Sequence, residues 1–143
     1  DNLGATASVS RQVTVAGGGS TTQLLNGVTV SGATNSTSPN SSFADYLVVI
    51  PPQSANLNIA TSSATADLDL YVRFGAVPNL GQYDCRPFLF SGNESCLFSI
   101  PSAGTYYIRV YGYATGAQSF RINASWTTNT GDKVIRQLQP IGM

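Results

Sequence analysis

The chain has 143 residues, enough for one domain with a sizeable core, and seven basic residues balance seven acidic ones at only 10% charged. A neutral chain has no basic field to draw nucleic acid or an anionic membrane, and it lacks the self-repulsion that keeps copies apart. The sequence contains no histidine and two cysteines, which excludes Ser-His-Asp and Cys-His catalysis, His-ligated zinc and all-cysteine zinc.

Apolar segments are short, β-branched or aromatic, and bounded by Gly, Pro, Asn or Ser, so the chain reads as all-β. The first strand is expected over Ser8–Val15, where Val9, Val13 and Val15 alternate with polar residues. Gly17-Gly18-Gly19-Ser20 follows as a flexible joint. Leu24–Val30 reads as a strand, and Ala33–Ser42 as a polar loop. Phe43–Ile50 is a buried strand ended by Pro51-Pro52, and its longest apolar run, Tyr46–Ile50, is too short to span a bilayer. Ala55–Thr61 and Asp67–Phe74 alternate cleanly. Phe88–Phe90 and Cys96–Ile100 flank a cysteine loop. Thr105–Tyr113 is the longest expected strand, and Ser119–Trp126 closes the series. About eight strands at this spacing predict one β-sandwich of jelly-roll type. The expected division is an N-terminal arm or linker over 1–22, a core over 23–126 and a C-terminal arm over 127–143, both arms being strand-like.

The low-charge, Ser/Thr/Asn/Gly-rich composition suits a secreted or cell-surface protein, where Cys85 and Cys96 would pair. Two free thiols in a cytosolic protein is the alternative. Sequons occur at Asn35, Asn40, Asn93 and Asn123; in a eukaryotic chain they would suggest glycosylation, and in a bacterial one they are coincidence in a sequence this rich in Asn, Ser and Thr.

Four segments in order carry a family resemblance. They are Asp67-Leu68-Asp69-Leu70-Tyr71-Val72-Arg73-Phe74-Gly75, Tyr83-Asp84-Cys85-Arg86-Pro87, Ser91-Gly92-Asn93-Glu94-Ser95-Cys96, and Pro101-Ser102-Ala103-Gly104-Thr105-Tyr106-Tyr107-Ile108. Over Leu24–Trp126 the chain resembles the bacterial pre-peptidase C-terminal domain family. The resemblance implies a jelly-roll-type sandwich, export, and a non-catalytic accessory role at the end of a secreted peptidase. It is similar at fold level to the calcium-binding, collagen-binding modules of clostridial collagenases, a likeness that transfers no function by itself.

Strand alternation sorts the remaining residues into faces. Leu68, Leu70 and Val72 point to the core, while Asp67, Asp69, Tyr71 and Arg73 share the other face. Tyr106, Ile108 and Val110 point inward, while Tyr107, Arg109, Tyr111 and Tyr113 point out. Tyr71, Arg73, Tyr107, Arg109, Tyr111 and Tyr113 therefore form an expected binding face for an extracellular polymer, protein or polysaccharide, because Tyr and Arg anchor interfaces. Ordinary cross-strand aromatic packing is the competing reading. Asp67 and Asp69 are candidate calcium ligands if Asp45 or Asp84 converges on them, since two carboxylates are too few. No enzyme is expected. The arms suggest a further reading, in which a strand carrying Val9, Val13 and Val15, or Val134 and Leu138, joins another copy of the chain and builds a filament.

Overall fold

The structure is a computed structural model and describes residues 11–14, 20–36, 42–113 and 115–129. Among them the chain forms only strands: β1 (Arg11–Thr14), β2 (Ser20–Gln23), β3 (Thr29–Ser36), β4 (Ser42–Ile50), β5 (Ser54–Ser62), β6 (Leu68–Phe74), β7 (Ser95–Phe98), β8 (Gly104–Gly112) and β9 (Gly116–Thr128). They make a two-layer sandwich, with one sheet ordered β1-β2-β4-β8-β6 and the other β3-β9-β5-β7. From β3 onward each strand lies in the opposite sheet from the one before it. The jelly-roll connection is a finer statement than this strand order supports.

The core follows from the period-two patterns. β4 contributes Tyr46, Val48 and Ile50, β6 contributes Leu68, Leu70 and Val72, and β8 contributes Tyr106, Ile108 and Val110. The facing sheet supplies Leu57 and Ile59 from β5 and Phe120, Ile122 and Ala124 from β9. Each fully buried aliphatic side chain contributes about 1.5–3 kcal/mol. Tyr46 is the polar exception. Its ring meets Phe120 edge-on at 6.3 Å, and burial, with Asp45 adjacent, pushes its hydroxyl pKa up to about 12. Gly32 of β3 makes room for this pair, because a Cβ there would collide with the Tyr46 hydroxyl and lie 2.6 Å from the Phe120 ring.

Three expected elements differ. Leu24–Val30 is not one strand: Leu24 donates one bond to the Leu47 carbonyl at 2.8 Å, Gly27 then turns the chain at φ 79°, and only Thr29 and Val30 are strand, as the start of β3. Much of the expected polar loop, Ala33–Ser42, is instead strand, because β3 runs to Ser36 in register with β9. Phe88–Phe90 is not a strand either, since Phe88 stands in the left-handed region at φ 63°. The longest strand is β9 with 13 residues, not β8 with nine.

The described part of the N-terminal arm pairs within its own chain. β1 is antiparallel to β2 with Val13 opposite Thr21, and β2 is parallel to β4 through Thr22–Tyr46 and Gln23–Leu47. At the other end, β9 continues to Thr128. Val9, Val15, Val134 and Leu138 lie outside the described residues. No helix among the described residues is long and apolar enough to cross a membrane.

Candidate functional site

The outward face of the five-stranded sheet is built by β4, β8 and β6 in register. Phe43, Tyr111 and Asp69 make one row, Asp45, Arg109 and Tyr71 the next, and Leu47, Tyr107 and Arg73 the third. The expected tyrosine face is therefore real as a side of the sheet, but it is only partly open. Tyr71 is 2% exposed and Tyr111 5%. Their rings touch edge-on at 5.0 Å, and Tyr111 meets Phe43 at 5.6 Å. Tyr83 closes on Tyr71 from the following loop at 5.4 Å, and the Arg86 guanidinium stands 5.2 Å from the Tyr71 ring centre. Tyr71 and Tyr111 thus form a second small core between sheet and loop, and are no open contact surface. Burial raises the Tyr71 hydroxyl pKa, opposed by Arg86.

Arg109 is also engaged. It donates from Nε and a terminal nitrogen to the two oxygens of Asp45 at 2.7 and 2.8 Å, and its guanidinium covers the Phe43 ring at 3.7 Å. The Asp45 hydrogen bond, the largest influence, holds the Arg109 pKa above its already high ordinary value. Such planar, two-pronged pairs with an aromatic backing are the geometry for which arginine is suited. Of the six expected face residues, Tyr113 is exposed, and Arg73 and Tyr107 are half-buried.

Beside this face lies the loop closed by the Cys85–Cys96 disulfide, with Cα atoms 6.1 Å apart. It covers the free edge of β6. Leu70 N–H donates to Glu94 Oε2 at 2.7 Å, Val72 N–H to the Cys85 carbonyl at 3.0 Å, and Phe74 N–H to Asp84 Oδ2 at 2.7 Å. Three successive outward donors of the strand are thereby occupied, which blocks strand addition at this edge. Sequence reasoning missed Glu94, because a charge inside a cysteine loop reads as solvated. It is 2% exposed. Its other oxygen, Oε1, accepts the Leu89 N–H at 2.7 Å, its own N–H donates to Thr61 Oγ1 at 2.9 Å, and Thr61 Oγ1 donates to the Gly92 carbonyl at 2.7 Å. Burial raises the Glu94 pKa; the Leu70 and Leu89 N–H groups oppose this, and Asp69 and Asp67 add to it.

Pinned in this way, the loop turns three consecutive apolar side chains outward: Phe88, Leu89 and Phe90, the last 96% exposed. Arg86 stacks on Phe88 at 3.7 Å. The signal for this patch was present in the sequence, since so short a loop cannot bury three large side chains at once. Phe88, Leu89, Phe90 and Tyr113 wall a pocket of about 520 Å³ that also exposes Asp67 and Asp69. Asp67 Oδ1 is buried and accepts no hydrogen bond. Burial raises both carboxyl pKa values; for Asp69 the neighbouring Asp67 adds to the rise and Arg86 opposes it.

The third carboxylate that a calcium site needs does not come from the expected acids. Asp45 pairs with Arg109 and Asp84 caps Phe74. Among the described residues no group of three or more His, Cys, Asp or Glu side chains is placed to hold a metal.

Comparison with known proteins places this architecture. The sequence model of the bacterial pre-peptidase C-terminal domain matches residues 44–112, from β4 through β8, including all three β6-capping residues. The chain carries a pre-peptidase C-terminal domain. The crystal structure of the pre-peptidase C-terminal domain of a Bacillus anthracis collagenase superposes on 73% of this chain and 94% of its own, with a TM-score of 0.58 at 13% identity, which shows a shared fold. Xanthomonalisin of Xanthomonas sp. (strain T-22) is 46% identical over 61 residues, 43% of this chain and 7% of its own length. Alkaline serine exoprotease A of Vibrio alginolyticus is 37% identical over 92 residues, 64% of this chain and 16% of its own. An extracellular protease of Xanthomonas campestris pv. campestris is 38% identical over 92 residues, 64% of this chain and 15% of its own. The chain thus corresponds to a small part of each protease, and a pre-peptidase C-terminal domain is not itself the catalytic part.

Proposed function

We propose that this pre-peptidase C-terminal domain is a secreted accessory module of an exported peptidase, which binds protein substrate or an extracellular surface for an active site carried elsewhere. The observation that carries the reading is the outward Phe88-Leu89-Phe90 triplet on a disulfide-closed, Glu94-pinned loop. A contiguous apolar patch held rigid at the surface is a binding surface more often than an accident. Its ordering costs little on association, because the loop is already fixed. Tyr113 extends the patch, while Tyr107 and Arg73 pair with each other two rows further along the sheet from Asp69 and Tyr111. The sequence contains no histidine, in keeping with a non-catalytic role.

The test is co-sedimentation of the 143-residue chain with insoluble collagen, chitin and cell-surface polysaccharide. Binding to at least one is expected, with Phe90→Ala and Tyr113→Ala together reducing it at least tenfold at unchanged thermal stability. Equal binding by the variant, or none by the native chain, refutes the proposal.

A second reading, a structural subunit joined to other copies by strand exchange, is favoured by one observation. Among the described residues β2 joins β4 in parallel while the other strand pairings are antiparallel, and two register pairs hold it there. A terminal strand from a second copy fits the same position. Electron microscopy of the chain with and without residues 1–23 tests it: filaments that persist after truncation would remove the arm as connector.

A further inference from the structure

The pocket beside the stapled loop combines two features that pull toward one kind of ligand. Its walls are apolar, from Phe88, Leu89, Phe90 and Tyr113, and its polar groups are the carboxylates of Asp67 and Asp69. Its volume, about 520 Å³, is in the ordinary range for a small-ligand site. The charge does not balance locally. Arg86 is the cation that acts on Asp69, while Asp67 and the buried Glu94 add negative charge to the same region. Asp67 Oδ1 is buried with no donor. A charged donor brought by a ligand pairs with the carboxylate groups that the pocket does expose.

We propose that this pocket receives a cationic side chain, lysine or arginine, of an extended protein segment. A long aliphatic stem suits the Phe90 and Tyr113 walls while its charged head reaches the carboxylates. The aromatic faces attract the same head group. The chain already shows this chemistry within itself, since the Arg86 guanidinium lies on the Phe88 ring at 3.7 Å and acts on Asp69. A free anion is disfavoured by two carboxylates, and a purely apolar ligand leaves their charge unpaired. The inference rests on the protein-binding reading above and specifies what part of the partner is read.

The probes are N-acetyl-arginine amide, N-acetyl-lysine amide, the uncharged norleucine analogue and calcium chloride. Each is titrated into the full chain at low salt while backbone amide resonances are followed. Saturable shifts at Asp67, Asp69, Leu89, Phe90 and Tyr113 are expected with the two cationic amides and not with norleucine. Asp67→Asn should weaken them at least tenfold, and Tyr113→Phe, which keeps the wall, should weaken them less than threefold and show that the site is folded. Equal response to norleucine would make the pocket merely apolar and overturn the proposal. Shifts with calcium but not with the cationic amides would make it a metal site and overturn it too, as would no saturable response. Polymer binding that survives Asp67→Asn while the amides give no shift sinks this inference and leaves the accessory reading standing. Amide binding without polymer binding does the reverse.

Discussion

Replacing Glu94 is the sharpest perturbation of the loop. Its carboxylate accepts the N–H groups of Leu70 and Leu89, both at 2.7 Å, at a site 2% exposed. Glu94→Ala leaves both donors with no acceptor. A buried donor left unsatisfied costs about 1–3 kcal/mol, so two cost about 2–6 kcal/mol. Removing a carboxylate whose pKa is raised by burial returns a small part of this. The net expectation is a loss of about 2–4 kcal/mol. Glu94→Gln is the informative partner. Its amide offers one acceptor and turns a donor toward the second N–H, so it should lose about 1–3 kcal/mol. The assay is equilibrium urea unfolding followed by tryptophan fluorescence from the single tryptophan, Trp126. Phe88 should lose its left-handed backbone in both variants, exposing the loop to limited proteolysis between Arg86 and Phe90. If Glu94→Gln unfolds within about 0.5 kcal/mol of the native chain, the two bonds do not hold the loop and the reasoning fails.

Other perturbations are graded in the same way. Reducing Cys85–Cys96, or replacing both residues by serine, should cost about 3 kcal/mol from the closed loop, read as a lower urea midpoint. Gly32→Ala should cost about 1–3 kcal/mol, because its Cβ meets Tyr46 and Phe120; a neutral result would mean that β3 shifts freely. Asp67, Asp69 and Glu94 all have pKa values raised by folding, so they bind protons more readily folded than unfolded. Their contribution is fully present below the unfolded carboxylate range, near pH 4, and is lost as pH rises through the raised values. The contribution of these groups to the melting temperature should therefore grow as pH is lowered from neutral toward about 4, and its shrinking over that descent would contradict the burial of these groups. Asp45→Asn should cost about 1 kcal/mol, with the matching Arg109 variant showing non-additivity in a double-mutant cycle.

Much of the sandwich was legible because its central strands obey a period of two. Leu68, Leu70 and Val72, and Tyr106, Ile108 and Val110, declare their inward faces without outside help, and both sets are buried. β3 escaped because its inward positions include Gly32 and Thr34, which carry no apolar signal, and because as an edge strand it needs only one partner. The tyrosine face shows a different limit. Alternation says which side of the sheet a residue occupies, but not whether a loop from further along returns to cover it, as Tyr83 and Arg86 do for Tyr71. Glu94 shows the converse, since its burial depends on meeting two backbone donors from distant positions, Leu70 and Leu89, at once. The patch at Phe88–Phe90 was in view as a run of large side chains, and what misdirected its reading was the assumption that they formed a strand.

The alternation of strands between the two layers has a consequence for how the chain acquires its structure during synthesis. β4 must wait for β8, whose pairing joins Asp45 to Arg109 across 64 positions, and β3 must wait for β9. Neither layer is complete until the last strand has emerged, so the growing chain holds β4, β5 and β6 without their final partners. Such non-local pairing slows folding and lengthens the interval in which bare edges can find one another. Until β9 is available, β3 lacks its partner and the two layers cannot both close. The sandwich then closes in one cooperative step rather than strand by strand.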